Sequence, residues 1–304
     1  MNIIELKSGE STAKINLSKG ANCVSLHMNG LNILRQTNSD EPDNPFLYGM
    51  PPLFPVNRIS GGKFVFEGRN YDFGINEEST SCQLHGELHR QCFTLAKSRN
   101  DYALCIFKSE GEYMNFPHSF TFETEYELKN GSLHIRVGIE NRSDKNMPFL
   151  FGFHTTFNLK LSDTSDIKSV RVGALVGKCV ERDKDYLPTG EKYADDKITG
   201  DLLKGRFIPA KVPVSRHYEV LDDGKMFIYD LDMKKGIIYE NDTAYTHRLI
   251  YNGSADEYIC LEPQNCIVNA PNISGEYVPF VLPGEKKNLF SSITVFDGSQ
   301  TSDI

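Results

Sequence analysis

Apolar residues return at every second position through much of this chain, the period of a strand with one face buried and the other wet. The clearest case is Thr121 to Leu128, where Phe122, Thr124, Tyr126 and Leu128 share one side and Glu123, Glu125 and Glu127 share the other. The acidic side is expected to face water. After the turn Lys129-Asn130-Gly131, Leu133, Ile135, Val137 and Ile139 alternate with His134, Arg136 and Gly138. Lys63-Phe64-Val65-Phe66 and Tyr71-Asp72-Phe73 flank Glu67-Gly68-Arg69-Asn70, which predicts a hairpin with a short glycine-containing turn. Further strands are predicted at Tyr102 to Lys108, Met226 to Leu231, Gly236 to Glu240, His247 to Tyr251 and Glu257 to Glu262. Long amphipathic helical patterns are absent, and the connections are short and rich in Gly, Asn, Asp and Pro. Together these features predict an all-β, antiparallel fold. The polar stretch 178–211 is the least regular part. Strand patterning of the same kind continues on both sides of it, so it is expected to be a surface excursion within a single domain spanning residues 1–304.

One strand-like run breaks its own hydrophobicity at a titratable side chain: Phe149-Leu150-Phe151-Gly152-Phe153-His154-Thr155-Thr156-Phe157-Asn158. At period two, Phe149, Phe151, Phe153 and Phe157 suit a core, while Gly152, His154, Thr156 and Asn158 suit a polar cleft. The glycine leaves room for a ligand beside the histidine. A core histidine satisfied by a backbone carbonyl is the alternative this segment leaves open. In Tyr258-Ile259-Cys260-Leu261-Glu262-Pro263-Gln264, Ile259 and Leu261 oppose Tyr258, Cys260 and Glu262, and Pro263 is expected to end the strand. A carboxylate among Cys260, Leu261 and Pro263 is partly desolvated, which raises its pKa and makes it a stronger proton acceptor near neutral pH. A rim carboxylate paired with a lysine or arginine is the bland alternative.

Cys82-Gln83-Leu84-His85-Gly86-Glu87-Leu88-His89 carries two histidines four apart. Gly86 weakens a helix there, the glutamate is misplaced for His-Glu-x-x-His, and no third ligand has readable spacing, so no metal is expected. His85 followed by glycine suits a loop that projects an imidazole into a cleft. Asn57-Arg58 stands between two apolar segments after Pro51, Pro52 and Pro55, where a guanidinium either fixes sugar or carboxylate oxygens or makes a salt bridge near a hairpin. No Gly-x-Gly-x-x-Gly, phosphate-cradling loop or Gly-x-Ser-x-Gly elbow occurs, so nucleotide chemistry and serine hydrolysis drop out.

Charge and composition narrow the partners. The 304 residues include 33 Lys and Arg against 41 Asp and Glu, a net charge of −8, with no basic block among aromatics. Neither nucleic acid nor an anionic membrane is an expected partner. Met1-Asn2-Ile3-Ile4-Glu5-Leu6-Lys7 lacks the pattern of a leader, and no later window approaches eighteen apolar residues, which predicts a cytoplasmic location. The seven cysteines are odd in number, scattered and free of any Cys-x-x-Cys pair, as reduced thiols would be.

Taken in order, Asn57-Arg58-Ile59-x-Gly-Gly-x-Phe, Leu84-His85-Gly86, Gly152-Phe153-His154-Thr155-Thr156-Phe157-Asn158, Leu187-Pro188-Thr189-Gly190 and Leu261-Glu262-Pro263-Gln264 resemble the aldose 1-epimerase (galactose mutarotase) family over nearly the whole chain. The resemblance implies one large antiparallel β-supersandwich with a cleft on one sheet face, a small-molecule sugar substrate and a reaction without cofactor. It further implies that Glu262 removes the proton of the sugar's C1 hydroxyl and that His154 protonates the ring oxygen. His85 would steady the ring-oxygen end, and Arg58, with Asn57, Gln264 and His217, would bind the substrate. Such a reaction needs an acid and a base in opposite starting states near pH 7, met by a desolvated carboxylate and an imidazole kept protonated by nearby negative charge.

The chain departs from the family pattern at several points. Arg216-His217 stands where better-known members carry Asp-His, Val268-Asn269-Ala270 replaces Pro-Asp-Ala, and Phe153 and Thr155-Thr156 flank His154 in place of the usual residues. With no tryptophan, ring stacking falls to a Phe or Tyr, with Phe116 and Phe157 as candidates. Three competing activities follow: a hexose-6-phosphate 1-epimerase using Arg90, Arg206 or Arg216, a non-catalytic sugar-binding protein on the same scaffold, and a glycoside hydrolase, which needs a second carboxylate.

Overall fold

The computed structural model describes residues 2–298, apart from 195, 211, 222–223 and 254–256. Two eight-stranded antiparallel sheets dominate it. The first runs, in spatial order, through Thr94–Arg99, Tyr102–Glu110, Ser119–Lys129, Ser132–Asn141, Lys286–Asp297, Lys235–Asn241, Met226–Asp230 and Val170–Ala174. The second runs through Pro188–Tyr193, Val176–Arg182, Ser215–Val220, His247–Tyr251, Tyr258–Gln264, Gly152–Phe153 and Pro52–Leu53, and Thr156–Asn158 also pairs with Tyr258–Gln264. A four-stranded sheet, Ile3–Ser8 to Leu31–Asn32, comes first in the chain.

The alternation read from the sequence explains these elements. Phe122, Thr124, Tyr126 and Leu128 are all buried, and Glu123, Glu125 and Glu127 lie on the opposite face. That acidic face does more than meet water: the Arg136 guanidinium donates to Glu125 at 2.7 Å and to Glu123 at 3.3 Å from the neighbouring strand. Both predicted hairpins close on two-residue turns with positive φ at each position, Asn130-Gly131 and Glu67-Gly68, the backbone that matches strand twist. The second turn is therefore two residues shorter than expected, and Arg69 and Asn70 belong to the returning strand.

The core fills the space between the two large sheets. Phe151 packs against Phe122 of the opposite sheet at 5.5 Å between ring centroids, and Phe157 against Tyr239 at 5.6 Å. Each such buried ring contributes roughly 2 kcal/mol of transfer free energy.

The stretch 178–211 is more ordered than its polarity predicted. It holds the hairpin Val176–Arg182 with Pro188–Tyr193, which forms one edge of the second sheet, and the helix Lys197–Leu203. The Asp196 side chain caps that helix by accepting from the Thr199 amide at 2.9 Å. Its strands escaped a hydrophobicity reading because an edge hairpin such as Pro188–Tyr193 buries little of either face.

Candidate active site

The aromatic run forms two short strands, Gly152–Phe153 and Thr156–Asn158, with His154 at the break between them. Side-chain alternation nevertheless carries through. Thr155 turns to the core, where its hydroxyl meets Tyr239 at 3.1 Å, and His154 turns to the opposite face. The His154 amide donates to the Pro51 carbonyl at 3.1 Å and the Thr156 amide to Gly49 at 2.9 Å, so the loop at 49–51 takes over the hydrogen bonds that a continuous ladder would make.

Tyr258–Gln264 continues past Pro263, contrary to expectation. The Leu261 amide donates to Thr155 and the Asn265 amide to Phe151, so Pro263, between them and opposite Phe153, omits a single rung while the pairing holds on either side. Gly152 also serves a different end from the one expected. A Cβ on it would lie 2.7 Å from the Pro263 carbonyl oxygen and 2.7 Å from Val56, so the glycine admits neighbouring backbone rather than a ligand.

These strands set His154 Nε2 3.2 Å from Glu262 Oε1, with Glu262 fully buried. The contact is close but not aligned as a hydrogen bond, and both Glu262 Oε1 and His154 Nδ1 lack a hydrogen-bond partner. Burial governs both groups. It pushes Glu262 up from 4.5 to about 8, against the opposing pull of the Gln264 hydrogen bond and the Arg182 and Arg58 charges. It pushes His154 down from 6.5 to about 3. Neither shift is driven by the partner across the 3.2 Å contact; burial favours the neutral carboxyl and the neutral imidazole, the opposite direction to the charges expected from the sequence.

Asn57 and Gln264 are engaged with the carboxylate rather than presented to a ligand. The Asn57 side-chain amide donates to Gln264 Oε1 at 3.1 Å, and the Gln264 amide donates to Glu262 Oε2 at 3.3 Å. The short ladder of Arg58–Ser60 with Cys82–Leu84 brings two sequence motifs together, and the His85 amide donates to the Asn57 carbonyl at 2.9 Å. Asn57 and His85 both adopt left-handed backbone, with φ of 58° and 64°. Asn269, in the segment that departs from the family pattern, accepts from the Ser60 amide at 3.1 Å and anchors this ladder.

His85 is buried with its ring edge-on to His154, 5.4 Å between centroids. Burial, then the neighbouring His154, Arg58 and His89, hold its pKa well below 6.5. Arg58 makes a bidentate pair with Glu77 at 2.6 and 2.7 Å and lies 4.5 Å over the Tyr186 ring, so the salt-bridge reading of this arginine describes its resting state. His217 shares a cross-strand row with Leu249 and Glu262, which puts it on the same face two strands away. That is about 10 Å at ordinary strand spacing. It is fully buried against His247, with 5.3 Å between ring centroids, and neither ring nitrogen has a hydrogen-bond partner.

The structure adds residues that the sequence did not reveal. Phe46 packs on His85, His89 and His154 at 4.6, 4.5 and 5.9 Å, which makes it the aromatic wall of the site. Phe116 and Phe157 are core residues and unavailable for stacking. Arg182 donates to the Ser215 carbonyl at 2.9 Å and acts electrostatically on Glu262 from the edge hairpin. Of the arginines named for a phosphate, Arg206 is paired with Asp201 at 2.8 Å, Arg90 with Glu87 at 3.5 Å, and Arg216 lies 5.9 Å over Tyr193. They converge on no common point beside Glu262.

A buried carboxyl and an imidazole thus stand 3.2 Å apart on one face of a large β-sandwich. The chain belongs to the aldose 1-epimerase family, whose model matches residues 2–294. A galactose mutarotase-like protein from Clostridium acetobutylicum superposes with a TM-score of 0.92, at 28% identity over 97% of this chain and 95% of that one. Galactose 1-epimerase from Lactobacillus acidophilus NCFM shares the fold with a TM-score of 0.75, at 17% identity over 97% of this chain and 94% of that one. The uncharacterised protein YphB of Escherichia coli (strain K12) is 30% identical over 112 residues, which cover only 36% of this chain and 36% of that relative.

Proposed function

We propose that the protein is an aldose 1-epimerase that interconverts the anomers of a free aldose. The observation that carries this reading is the 3.2 Å separation of His154 Nε2 and Glu262 Oε1. The two oxygens that exchange a proton in mutarotation share one carbon, so the groups that serve them must stand side by side. Burial favours the neutral form of both groups, so on this reading the pair's one titratable proton sits on Glu262 near neutral pH. Its transfer to His154 gives carboxylate and imidazolium without exchange with solvent, and the Arg182 and Arg58 charges favour that carboxylate. Glu262 then takes the C1 hydroxyl proton while His154 gives its proton to the ring oxygen. The C1–O5 bond breaks, C1 becomes an aldehyde, rotation about C1–C2 exposes its other face, and the reverse steps restore both protons.

His85 orients the His154 ring, and Asn57 through Gln264 holds the carboxylate, so these three are positioning groups. Arg58 and Phe46 stand beside the pair and face the sugar, whereas His217 is enclosed against His247 on the same sheet face. A free sugar is favoured over a phosphorylated one, because of the three arginines named for a phosphate Arg206 and Arg90 are each paired with a carboxylate and Arg216 lies over the Tyr193 ring. The test is the rate of α/β exchange across a panel of free and phosphorylated aldoses, followed by NMR. Faster exchange of free aldoses supports the reading. Saturable binding with no change in rate would make the protein a sugar binder instead.

A further inference from the structure

We propose that His154, Cys260 and Glu262 form a chelating site for a soft divalent cation of the Zn²⁺ class, and that its occupancy closes the centre to sugar. A histidine nitrogen, the Cys260 sulfur and a Glu262 oxygen all lie within 4.8 Å of one another, and all three residues are buried. Cys260 and Glu262 are two apart on one face of Tyr258–Gln264, and His154 reaches them from the interrupted neighbouring strand. Ligand atoms around a tetrahedral zinc stand about 3.3 to 3.7 Å apart, so the 3.2 Å of His154 Nε2 and Glu262 Oε1 already matches one edge. The sulfur, within 4.8 Å of both, has to draw closer to complete the same triangle.

The surroundings support ligation. The two Glu262 oxygens are divided: Oε2 accepts from Gln264, whereas Oε1 is buried, unpartnered and turned toward His154. The Thr156 hydroxyl lies 3.4 Å from Cys260 Sγ and gives its own hydrogen to the Phe46 carbonyl at 3.2 Å, so it receives the thiol hydrogen. On binding, the thiol and the carboxyl release their protons to solvent, and sulfur, oxygen and nitrogen lone pairs take the ion. One sulfur, one nitrogen and one oxygen donor select zinc-like ions over Mg²⁺ or Ca²⁺, which require oxygen shells. Three protein ligands leave the fourth position for water. Binding stands on geometry alone; the block of activity rests on the reading of this pair as the epimerase centre.

Co²⁺ titration of the full chain tests the site, because a tetrahedral cobalt thiolate has intense visible bands and a sulfur-to-metal charge-transfer band. Wild type should show both at one equivalent, and Zn²⁺ should displace them. Cys260→Ser should lose the charge-transfer band and bind Zn²⁺ at least tenfold more weakly, while Cys92→Ser, at an exposed thiol, should titrate as wild type. If Cys260→Ser does not fold, His154→Gln supplies the same discrimination through loss of the tetrahedral visible spectrum. No cobalt thiolate band in wild type, or an unchanged band in Cys260→Ser, would overturn the proposal. Zn²⁺ should also abolish anomer exchange by wild type. The cobalt spectrum with no exchange activity at any metal level would leave the site standing and the epimerase reading refuted, whereas full exchange in zinc-saturated protein would refute the block.

Discussion

Glu262 and His154 are held neutral by the same cause, and their effects on stability run in opposite directions. The unfolded chain ionises Glu262 near pH 4.5, while the folded protein keeps that proton up to about pH 8, so folding stability from this group falls as pH rises through that window. His154 acts oppositely: the unfolded chain takes up a proton below 6.5 and the folded protein only near 3, so stability is lost as pH falls through that range. Glu262→Gln should therefore match wild type in urea unfolding at pH 4.5 and exceed it at pH 8.5, by on the order of 5 kcal/mol at about 1.4 kcal/mol per pKa unit. A pH-independent difference would contradict the assignment of burial to Glu262. The identities of both residues were legible in the sequence, because each interrupts a hydrophobic alternation with one polar group. Their resting charges were not, since desolvation depends on how completely Pro51, Phe46 and the neighbouring strands enclose them.

At the scale of elements, the site depends on strands that approach more closely than side chains permit. A Cβ on Gly86 would lie 1.8 Å from the Phe54 carbonyl oxygen, and its φ is 61°. Gly86→Ala should destabilise the fold by more than about 2 kcal/mol in chemical denaturation, since both the clash and the backbone strain oppose it. Arg182→Gln tests the edge hairpin. Loss of a charge that lowers the Glu262 pKa should move the alkaline limb of the kcat/KM profile above about pH 8, and an unmoved limb would show that Arg182 does not act on Glu262. Several strands were readable from period two, including Tyr102–Glu110, Ser119–Lys129, Ser132–Asn141 and His247–Tyr251, whereas Ile3–Ser8, Thr94–Arg99, Val170–Ala174, Ser215–Val220 and Lys286–Asp297 had no reading. Three local features also escaped it: the break at His154, the passage of Tyr258–Gln264 through Pro263, and the hairpin that carries Arg182. Each is set by partner strands distant in sequence, as is Phe46, whose contact with three histidines joins loops that no local pattern connects.

For the whole molecule, the all-β architecture followed from alternation and short turns, and the family followed from the order of five short motifs. The cysteines belong to this scale. All seven are free thiols, and Cys92 alone is exposed. One thiol should react with a disulfide reagent in the native protein, and seven after unfolding; two or more fast thiols would mean that the core opens more readily than its packing implies. The central claim is that the Glu262 and His154 pair exchanges anomers of a free aldose. Its most direct test is NMR measurement of α/β exchange by wild type and Glu262→Gln at neutral pH, with folding of the variant checked by circular dichroism. Loss of at least about 10²-fold in rate with the fold intact is predicted. Exchange by folded Glu262→Gln at the wild-type rate would contradict it.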